Sequence, residues 1–197
     1  MNDFVGAFAS YGFAVIPAFV DSRAVDAIRD RAVALDAAGL MQPARVGRGS
    51  QVSARADIRG DRICWLDDES VDCAEVSLRD ALERLRVSAN RELQLGLVDF
   101  EGHYAIYPRD AGYARHRDRF HDDDSRVLSI VLYLNAQWRS DDGGALRIFT
   151  GARSIDVVPR SGTLVAFLSD RIEHEVLPAK RMRLSIAGWF RRRRLAT

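Results

Sequence analysis

The stretch RVLSIVLYL, residues 126–134, carries the pattern that decides the fold of this chain. Successive residues of a β-strand point to opposite faces of the sheet. Ser129, Val131 and Tyr133 therefore share one face of this strand, and the leucine and isoleucine residues between them share the other. A strand that is apolar on one face and partly polar on the other is typical of a sheet that packs on helices and encloses a cavity.

The run RLSIAGWF at residues 183–190 repeats this pattern near the end of the chain. Arg183, Ser185, Ala187 and Trp189 share one face, and the residues between them, apart from one glycine, are apolar. The apolar face should pack against helices, while the other face supplies the polar groups that a cavity needs. Two such strands facing inward indicate an interior that holds a ligand.

Helical patterns come first in the chain, at residues 3–11, 21–38 and 77–95, with one strand-like run at 13–20. Helices followed by many short strands indicate an α+β fold. We predict a double-stranded β-helix (jelly roll) with the N-terminal helices packed on one sheet. The remaining β-type runs are HYAIY (103–107), ALRIF (145–149), SIDVV (154–158) and TLVAFL (163–168).

The length of 197 residues and the hydrophobic content of 47% suit one globular domain. We predict a single domain over 1–197, in which residues 1–100 provide helical support and a mobile loop, and 101–197 form the jelly-roll core. The loop is the segment 41–57, which is rich in Arg, Ser and Gly and poor in apolar residues.

The charge balance argues against two classes of partner. With 29 basic and 28 acidic residues, the net charge of +1 gives no bulk attraction to nucleic acid or to an anionic membrane. The chain lacks an apolar stretch of about 18 residues, and its start is a poor match to a signal peptide. The two cysteines, Cys64 and Cys73, are expected to remain thiols in a reducing compartment, so we predict a cytoplasmic location.

Three residues form the ligand set of a facial iron site. His116 and Asp118 are separated by Arg117, and His174 follows further along the chain. Two imidazoles and one carboxylate bind non-haem Fe(II) on one face and leave three positions open. In a strand His116 and Asp118 would point to the same face, while Arg117 would point away. An H-x-D pair also occurs by chance, but two of only four histidines in this chain fall in the required positions.

Arg183 completes this set, because it follows His174 inside a strand-like run. A guanidinium binds a carboxylate through two parallel hydrogen bonds. An arginine at this point is what a 2-oxoglutarate enzyme needs to hold the far carboxylate of its co-substrate. The open metal positions would then take the other end of 2-oxoglutarate and O2.

Several segments together resemble the prolyl hydroxylases that act on hypoxia-inducible factor and the bacterial homologues of those enzymes. The IRGD tetrapeptide and GGALRIF narrow the resemblance to this branch of the 2-oxoglutarate oxygenases. The similar segments are IRGDRICW (58–65), YPRDAGYARHRD (107–118), RVLSIVLYLN (126–135), GGALRIF (143–149), SDRIEHEVLPA (169–179) and RLSIAGWF (183–190).

The resemblance implies a dioxygenase that uses Fe(II), 2-oxoglutarate and O2, with assistance from ascorbate, and that releases succinate and CO2. It implies that a prolyl residue in a protein substrate is hydroxylated, and in bacterial relatives it points to elongation factor Tu. No general base or nucleophile is required for this chemistry, because the metal carries it and the protein supplies the geometry.

The resemblance also implies roles for individual residues. His116, Asp118 and His174 would bind the metal at the catalytic centre. The co-substrate would be bound by Arg183 and Tyr133 at its 5-carboxylate, by Tyr107 near the iron, by Trp189 closing the pocket, and by Ser129, which shares the inward face of Tyr133.

At the outer end of the pocket, the resemblance implies that Arg59, Trp65 and Tyr113 line a groove for the peptide. Asp61 and Arg126 would form an ion pair that links the mobile loop to the barrel. His103 departs from the expected pattern, because an apolar residue is expected at this position on the face of Tyr107.

Three alternatives remain open at this stage. A hydroxylase of a free amino acid or another small molecule would need a closed pocket, whereas a mobile loop and an exposed Arg59 favour a peptide. A non-catalytic jelly-roll binding module would be expected to have lost a metal ligand or the arginine. A nucleic-acid demethylase is disfavoured because the sequence has no basic stripe with interleaved aromatic residues.

Overall fold

A computed structural model describes residues 2–45, 55, 57–119 and 124–193, with the backbone alone for 2–5. The helices in these ranges are α1 (Asn2–Tyr11), α2 (Ser22–Ala37) and α3 (Cys73–Leu93). The strands are β1 (Phe13–Ile16), β2 (Gln42–Pro43), β3 (Arg62–Trp65), β4 (Leu97–Tyr107), β5 (Tyr113–His116), β6 (Arg126–Tyr133), β7 (Leu146–Thr150), β8 (Arg153–Val157), β9 (Leu164–Leu168), β10 (Glu173–Val176) and β11 (Arg183–Arg192).

Capping residues explain where the long helices begin. The Asp21 carboxylate accepts a hydrogen bond from the Ala24 amide and starts α2 as expected. Asp72 does the same for Ala74, so α3 begins at Cys73 and not at the predicted residue 77. The face of α2 predicted to be buried is buried, and it packs against α3.

The strands form two antiparallel sheets. The larger has the order β1-β9-β6-β11-β4-β3-β2, and the smaller has the order β5-β10-β7-β8. The first predicted strand is shorter than expected, because Pro17 lacks an amide hydrogen and Ala18 has a positive φ of 49°. The sequence analysis did not predict strand β10, because its four residues are too few to show an alternating pattern.

The two faces of the central strands pack as their parity predicts. On β6 and β11, Leu128, Ile130, Leu184 and Ile186 join the helices in one buried apolar cluster. Tyr133, on the opposite face, belongs to a second cluster between the two sheets. The α+β double-stranded β-helix with helices on one sheet is therefore confirmed, and the intersheet space is where the inward-facing polar residues meet. No helix in the described ranges is long and apolar enough to cross a membrane.

Candidate metal centre and co-substrate cavity

The predicted metal ligands meet where the smaller sheet faces the cavity. His116 lies at the end of β5 and pairs in register with His174 on β10. Asp118 Oδ1 is 3.4 Å from His116 Nε2 and 3.7 Å from His174 Nε2, and the three ligand atoms lie within 4.8 Å of one another. The prediction that strand periodicity aligns His116 with Asp118 is wrong, since β5 ends at His116 and Asp118 lies in the bend that follows.

Backbone carbonyls orient both imidazoles toward one point. His116 Nδ1 donates to the Ala114 carbonyl at 2.7 Å, and His174 Nδ1 donates to the Ile172 carbonyl at 3.3 Å. A carbonyl can only accept, so the proton is on Nδ1 and the lone pair of Nε2 faces Asp118. This tautomer is the one that a histidine needs to bind a metal through Nε2.

The electrostatics of the cluster favour the forms that bind metals. Burial by itself raises the pKa of the Asp118 carboxyl, but at low pH the charge of the neighbouring histidines and hydrogen bonds from His116 and Ser129 lower that pKa by more, so the group is a carboxylate at neutral pH. Burial lowers the pKa of His174, which keeps its imidazole neutral. A carboxylate and two imidazoles with this spacing fit a single divalent cation such as Fe(II).

A cavity of about 1020 Å³ extends from the metal ligands across the larger sheet. Its floor follows the inward faces of β4 and β11, where Arg183 pairs with Tyr107, Ser185 with Ala105, and Ala187 with His103. The middle of this floor carries only small side chains, Ala105, Ser185 and Ala187, which leave room for a bound molecule. Arg183 lies at one end, which we call the deep end, and Trp189 lies at the other, which we call the mouth.

The deep end holds polar atoms that still require a partner. Arg183 is 1% exposed; its Nε donates to the Gly144 carbonyl at 3.0 Å and its Nη1 donates to Ser185 Oγ at 3.3 Å. Among the described residues, Arg183 Nη2 and the Tyr133 hydroxyl have no hydrogen-bond partner, although both are buried. An unsatisfied buried donor costs about 1–3 kcal/mol. One carboxylate that accepts from both groups would satisfy them, which fits the 5-carboxylate of 2-oxoglutarate.

Backbone geometry keeps the deep end open for Arg183. Gly144 has a φ of 68°, and a Cβ at this position would lie 3.3 Å from Arg183 Cδ and 3.2 Å from the Trp138 ring. Burial raises the pKa of the Tyr133 phenol to about 12 and also raises that of Tyr107. Both phenols are therefore neutral at pH 7 and can donate a hydrogen bond.

Ser129 lies beside the metal ligand Asp118, away from Arg183 and Tyr133, and its role toward the co-substrate stays a prediction. Its hydroxyl is 2.8 Å from Ser169 Oγ, and a hydrogen bond from it helps to lower the pKa of Asp118. Ser129 shares the face of Tyr133 but is about 13 Å further along the strand, given the rise per residue. Parity selects the face of a strand correctly but does not select the end.

At the mouth, the three residues predicted to line a peptide groove all border the cavity. Trp65 is 52% exposed at the rim. The Tyr113 ring stacks on the ligand His116 with centroids 3.6 Å apart, and the Arg59 guanidinium lies over the Tyr113 ring at 4.9 Å. The expectation of an exposed Arg59 is wrong, because its side chain is only 12% exposed.

The predicted Asp61–Arg126 pair is also wrong. The buried Asp61 carboxylate accepts two hydrogen bonds from Arg59, at 2.7 and 2.9 Å. Arg126 instead donates to Glu101 at 2.8 Å, and its guanidinium lies 3.5 Å above the Trp189 ring. Arg59 is only two residues from Asp61 in the chain. Its guanidinium is therefore close enough to bind the Asp61 carboxylate in place of Arg126. Most of the segment 41–57, predicted to be a mobile loop, lies outside the described residues.

His103 is a residue of the mouth to which the sequence assigned no role. It is 1% exposed and lies between the rings of Trp65 and Trp189, with centroid distances of 5.0 and 5.5 Å. Burial and the charge of Arg59 lower its pKa to about 3, so the imidazole is neutral. His103 and Tyr107 are four residues apart on β4, an even number, so both side chains point to the cavity face of the strand. This spacing is the sequence signal that places His103 in the cavity.

Known proteins share this architecture and these motifs. Residues 102–191 match the model of the 2OG-Fe(II) oxygenase superfamily. Human Egl nine homolog 1 is 30% identical over 190 residues, which cover 91% of this chain and 44% of that protein. The chain spans about half the length of the curated relatives that it matches most extensively.

Solved structures give the same result. A prolyl-4-hydroxylase from Pseudomonas putida is 43% identical with a TM-score of 0.87, and the match covers 98% of both chains. A Trichoplax adhaerens prolyl hydroxylase, solved with a peptide of hypoxia-inducible factor, is 27% identical with a TM-score of 0.87, covering 96% of this chain and 88% of that one. The family uses Fe(II), 2-oxoglutarate and O2, and the residues of the cavity fit the metal and the co-substrate. The chain belongs to the 2-oxoglutarate- and Fe(II)-dependent oxygenase superfamily and, within it, to the prolyl hydroxylases.

Proposed function

We propose that this protein is a dioxygenase that hydroxylates a prolyl residue in a protein substrate and releases succinate and CO2. The observation that carries the proposal is the union, in one cavity, of a His-Asp-His cluster with two buried donors that await a carboxylate, Arg183 Nη2 and the Tyr133 hydroxyl. The similarity to prolyl hydroxylases over 98% of the chain supports the choice of proline.

Each part of the cavity holds or orients one component of the reaction. Fe(II), when bound, supplies the oxidative chemistry that couples decarboxylation of 2-oxoglutarate to hydroxylation. His116, Asp118 and His174 would hold this ion, and all three border the cavity. Arg183 and Tyr133 bind the far carboxylate and thereby orient the co-substrate toward the ligands. The surrounding apolar side chains exclude water from this end.

The mouth supports a substrate larger than an amino acid. Trp65 presents a half-exposed ring at the rim, and the cavity continues past it along Arg45 and Gln42. A protein loop that carries a proline fits such an open rim better than a free amino acid, which would need an enclosed pocket. Elongation factor Tu is the target that the resemblance to bacterial homologues favours. We place the protein in the cytoplasm as a single domain, without a nucleic-acid or membrane partner.

The proposal is tested by mass spectrometry of cell protein with and without this enzyme. We expect a proline-containing peptide that gains the mass of one oxygen atom only when the wild-type protein is present. The Asp118→Ala variant, expressed at the same level, serves as the control and should leave that peptide unmodified. Purified elongation factor Tu is then incubated with the enzyme, Fe(II), 2-oxoglutarate and O2.

The possible outcomes distinguish the class of substrate from the identity of the target protein. Modification of another protein would retain the prolyl hydroxylase and remove elongation factor Tu as the target. A lack of any modified protein, together with efficient hydroxylation of free proline or another amino acid, would contradict the proposal of a protein substrate.

A further inference from the structure

Two buried N–H groups at the mouth have no acceptor among the described residues. They are His103 Nδ1 and Trp189 Nε1. The two rings lie 5.5 Å apart and border the same cavity as the metal ligands. Leaving each donor unsatisfied costs about 1–3 kcal/mol, so the pair is suited to an acceptor that enters the cavity.

The chemistry of the partners makes both groups donors. His103 Nε2 lies 3.3 Å from Arg59 Nη2, and a guanidinium can only donate, so Nε2 is the acceptor. The proton of the neutral imidazole is therefore on Nδ1. The indole nitrogen of Trp189 is a donor in every state. The mouth thus holds two donors and requires an acceptor oxygen.

The far carboxylate of the co-substrate cannot supply this oxygen while it is bound to Arg183. His103 lies four residues from Tyr107 along β4, and Trp189 lies six residues from Arg183 along β11. These separations correspond to about 13 and about 20 Å of strand. The far carboxylate of a five-carbon dicarboxylate held at Arg183 therefore cannot reach these donors. Its metal-binding end comes nearer, because Ser129, the partner of Trp189 in the sheet, hydrogen-bonds the metal ligand Asp118.

The local charge favours a neutral acceptor over an anion. Arg59 is paired with the buried carboxylate of Asp61, and Arg126 is paired with Glu101. The nearest cations are therefore compensated, and the donors themselves are uncharged. The oxygen of a peptide amide is neutral and accepts such hydrogen bonds. Trp65, whose ring lies 5.0 Å from His103, adds an aromatic wall beside the donors.

We propose that His103 and Trp189 form a two-donor subsite that binds an amide carbonyl oxygen adjacent to the prolyl ring of the substrate. This inference rests on the proposed function, since it specifies how a peptide is held at the mouth. His103 is then a specificity-determining residue, because an apolar side chain at this position would offer no donor.

The experiment uses protein loaded with Zn(II), a redox-inert ion, and saturated with 2-oxoglutarate. N-acetylprolinamide is the probe, because it presents an amide carbonyl on each side of the pyrrolidine ring. Side-chain N–H signals are followed by ¹H–¹⁵N NMR during the titration. We expect the Trp189 Nε1–H and His103 Nδ1–H signals to move downfield together. The indole N–H of Trp138 is an internal control, since it already donates to the Gly143 carbonyl at 3.0 Å and should not move.

Two variants test the donors separately. His103→Phe keeps a ring of similar shape and removes its donor, while Trp189→Phe removes the other donor and leaves the Arg59–His103 contact in place. Each should weaken binding of N-acetylprolinamide about fivefold, as expected for one hydrogen bond. Affinity for 2-oxoglutarate should change by less than about twofold in His103→Phe, because His103 makes no hydrogen bond at the deep end.

Three results would overturn the proposal. One is the absence of any shift at both signals when the probe is added. Another is a full shift on addition of 2-oxoglutarate alone, which would assign the donors to the co-substrate. The third is unchanged affinity for the probe in both variants. These readouts measure binding without turnover, so they are independent of whether mass spectrometry finds a hydroxylated protein in cells.

Discussion

The deep end and the mouth of the cavity differ in how their charged groups are paired. At the deep end, Arg183 and Tyr133 retain buried donors that no described residue accepts. At the mouth, Arg59 and Asp61 bind each other, and Arg126 binds Glu101. The deep end is therefore arranged to receive a charged molecule, whereas the charges of the mouth are already neutralised. The difference indicates that the co-substrate is held by charge and the substrate by neutral hydrogen bonds and aromatic surfaces.

The largest expected effect lies at the metal ligands, on which both ends depend. Asp118→Ala should abolish 2-oxoglutarate turnover and divalent metal binding, because it removes the only carboxylate of the cluster. Calorimetric titration with Mn(II) measures the binding. The control is Arg117→Ala, whose side chain pairs with Glu173 and is not one of the three candidate ligands. Wild-type metal affinity in Asp118→Ala would exclude that residue as a ligand.

Asp61→Ala at the mouth should act on stability. Removal of this carboxylate leaves Arg59 buried without its partner, which typically costs about 3–5 kcal/mol of the free energy of unfolding. Urea denaturation monitored by circular dichroism gives the value. As a matched control, Asp156→Ala breaks the exposed pair with Arg147 and should cost less than about 1 kcal/mol. Equal losses in the two variants would mean that the Arg59–Asp61 pair is not buried in solution.

Arg183→Ala at the deep end should act on the co-substrate. We expect 2-oxoglutarate to bind about 2–5 kcal/mol more weakly, the range for truncating one partner of a buried charge pair. Calorimetry with the Mn(II)-loaded protein measures the change. Trp65→Ala, at the rim of the mouth, is the control and should leave this affinity intact. A similar loss in both variants would remove the distinction between the two ends.

His103 makes the stability of the mouth depend on pH. The unfolded imidazole takes up a proton near pH 6.5, whereas the folded one does so only near pH 3, so protonation favours unfolding in that window. Between pH 7 and pH 5 this group should lower the free energy of unfolding by about 2 kcal/mol. His103→Phe should flatten the pH profile by that amount in urea denaturation. An unchanged profile would show that the folded imidazole titrates normally.

Tyr133→Phe should have the smallest effect of the set. It removes one hydroxyl that donates to the co-substrate, so 2-oxoglutarate affinity should fall by about 1 kcal/mol. The same calorimetric titration measures it. A loss as large as that expected for Arg183→Ala would mean that the phenol carries more than one hydrogen bond.

The deep end was the more predictable of the two regions. Alternation along β6 and β11 placed Tyr133 and Arg183 on the inward face, because strand geometry leaves little choice. The mouth depends on which carboxylate an arginine reaches, and that choice follows from three-dimensional distances that sequence spacing does not contain. Asp61 was assigned to Arg126 and binds Arg59, and the resemblance gave no role to His103. Ser129 shows a related limit, since alternation along β6 predicted the face that it shares with Tyr133 but not its position beside Asp118.

Anaerobic titration of the Fe(II)-loaded protein with 2-oxoglutarate tests most directly whether the cavity holds both the metal and the co-substrate. A visible charge-transfer band between iron and 2-oxoglutarate should appear, saturate in the wild-type protein, and require much more 2-oxoglutarate in Arg183→Ala. Asp118→Ala should give no band. A wild-type protein that binds Fe(II) without developing the band, or an Arg183→Ala variant that saturates at the wild-type concentration, would contradict the assignment of the deep end.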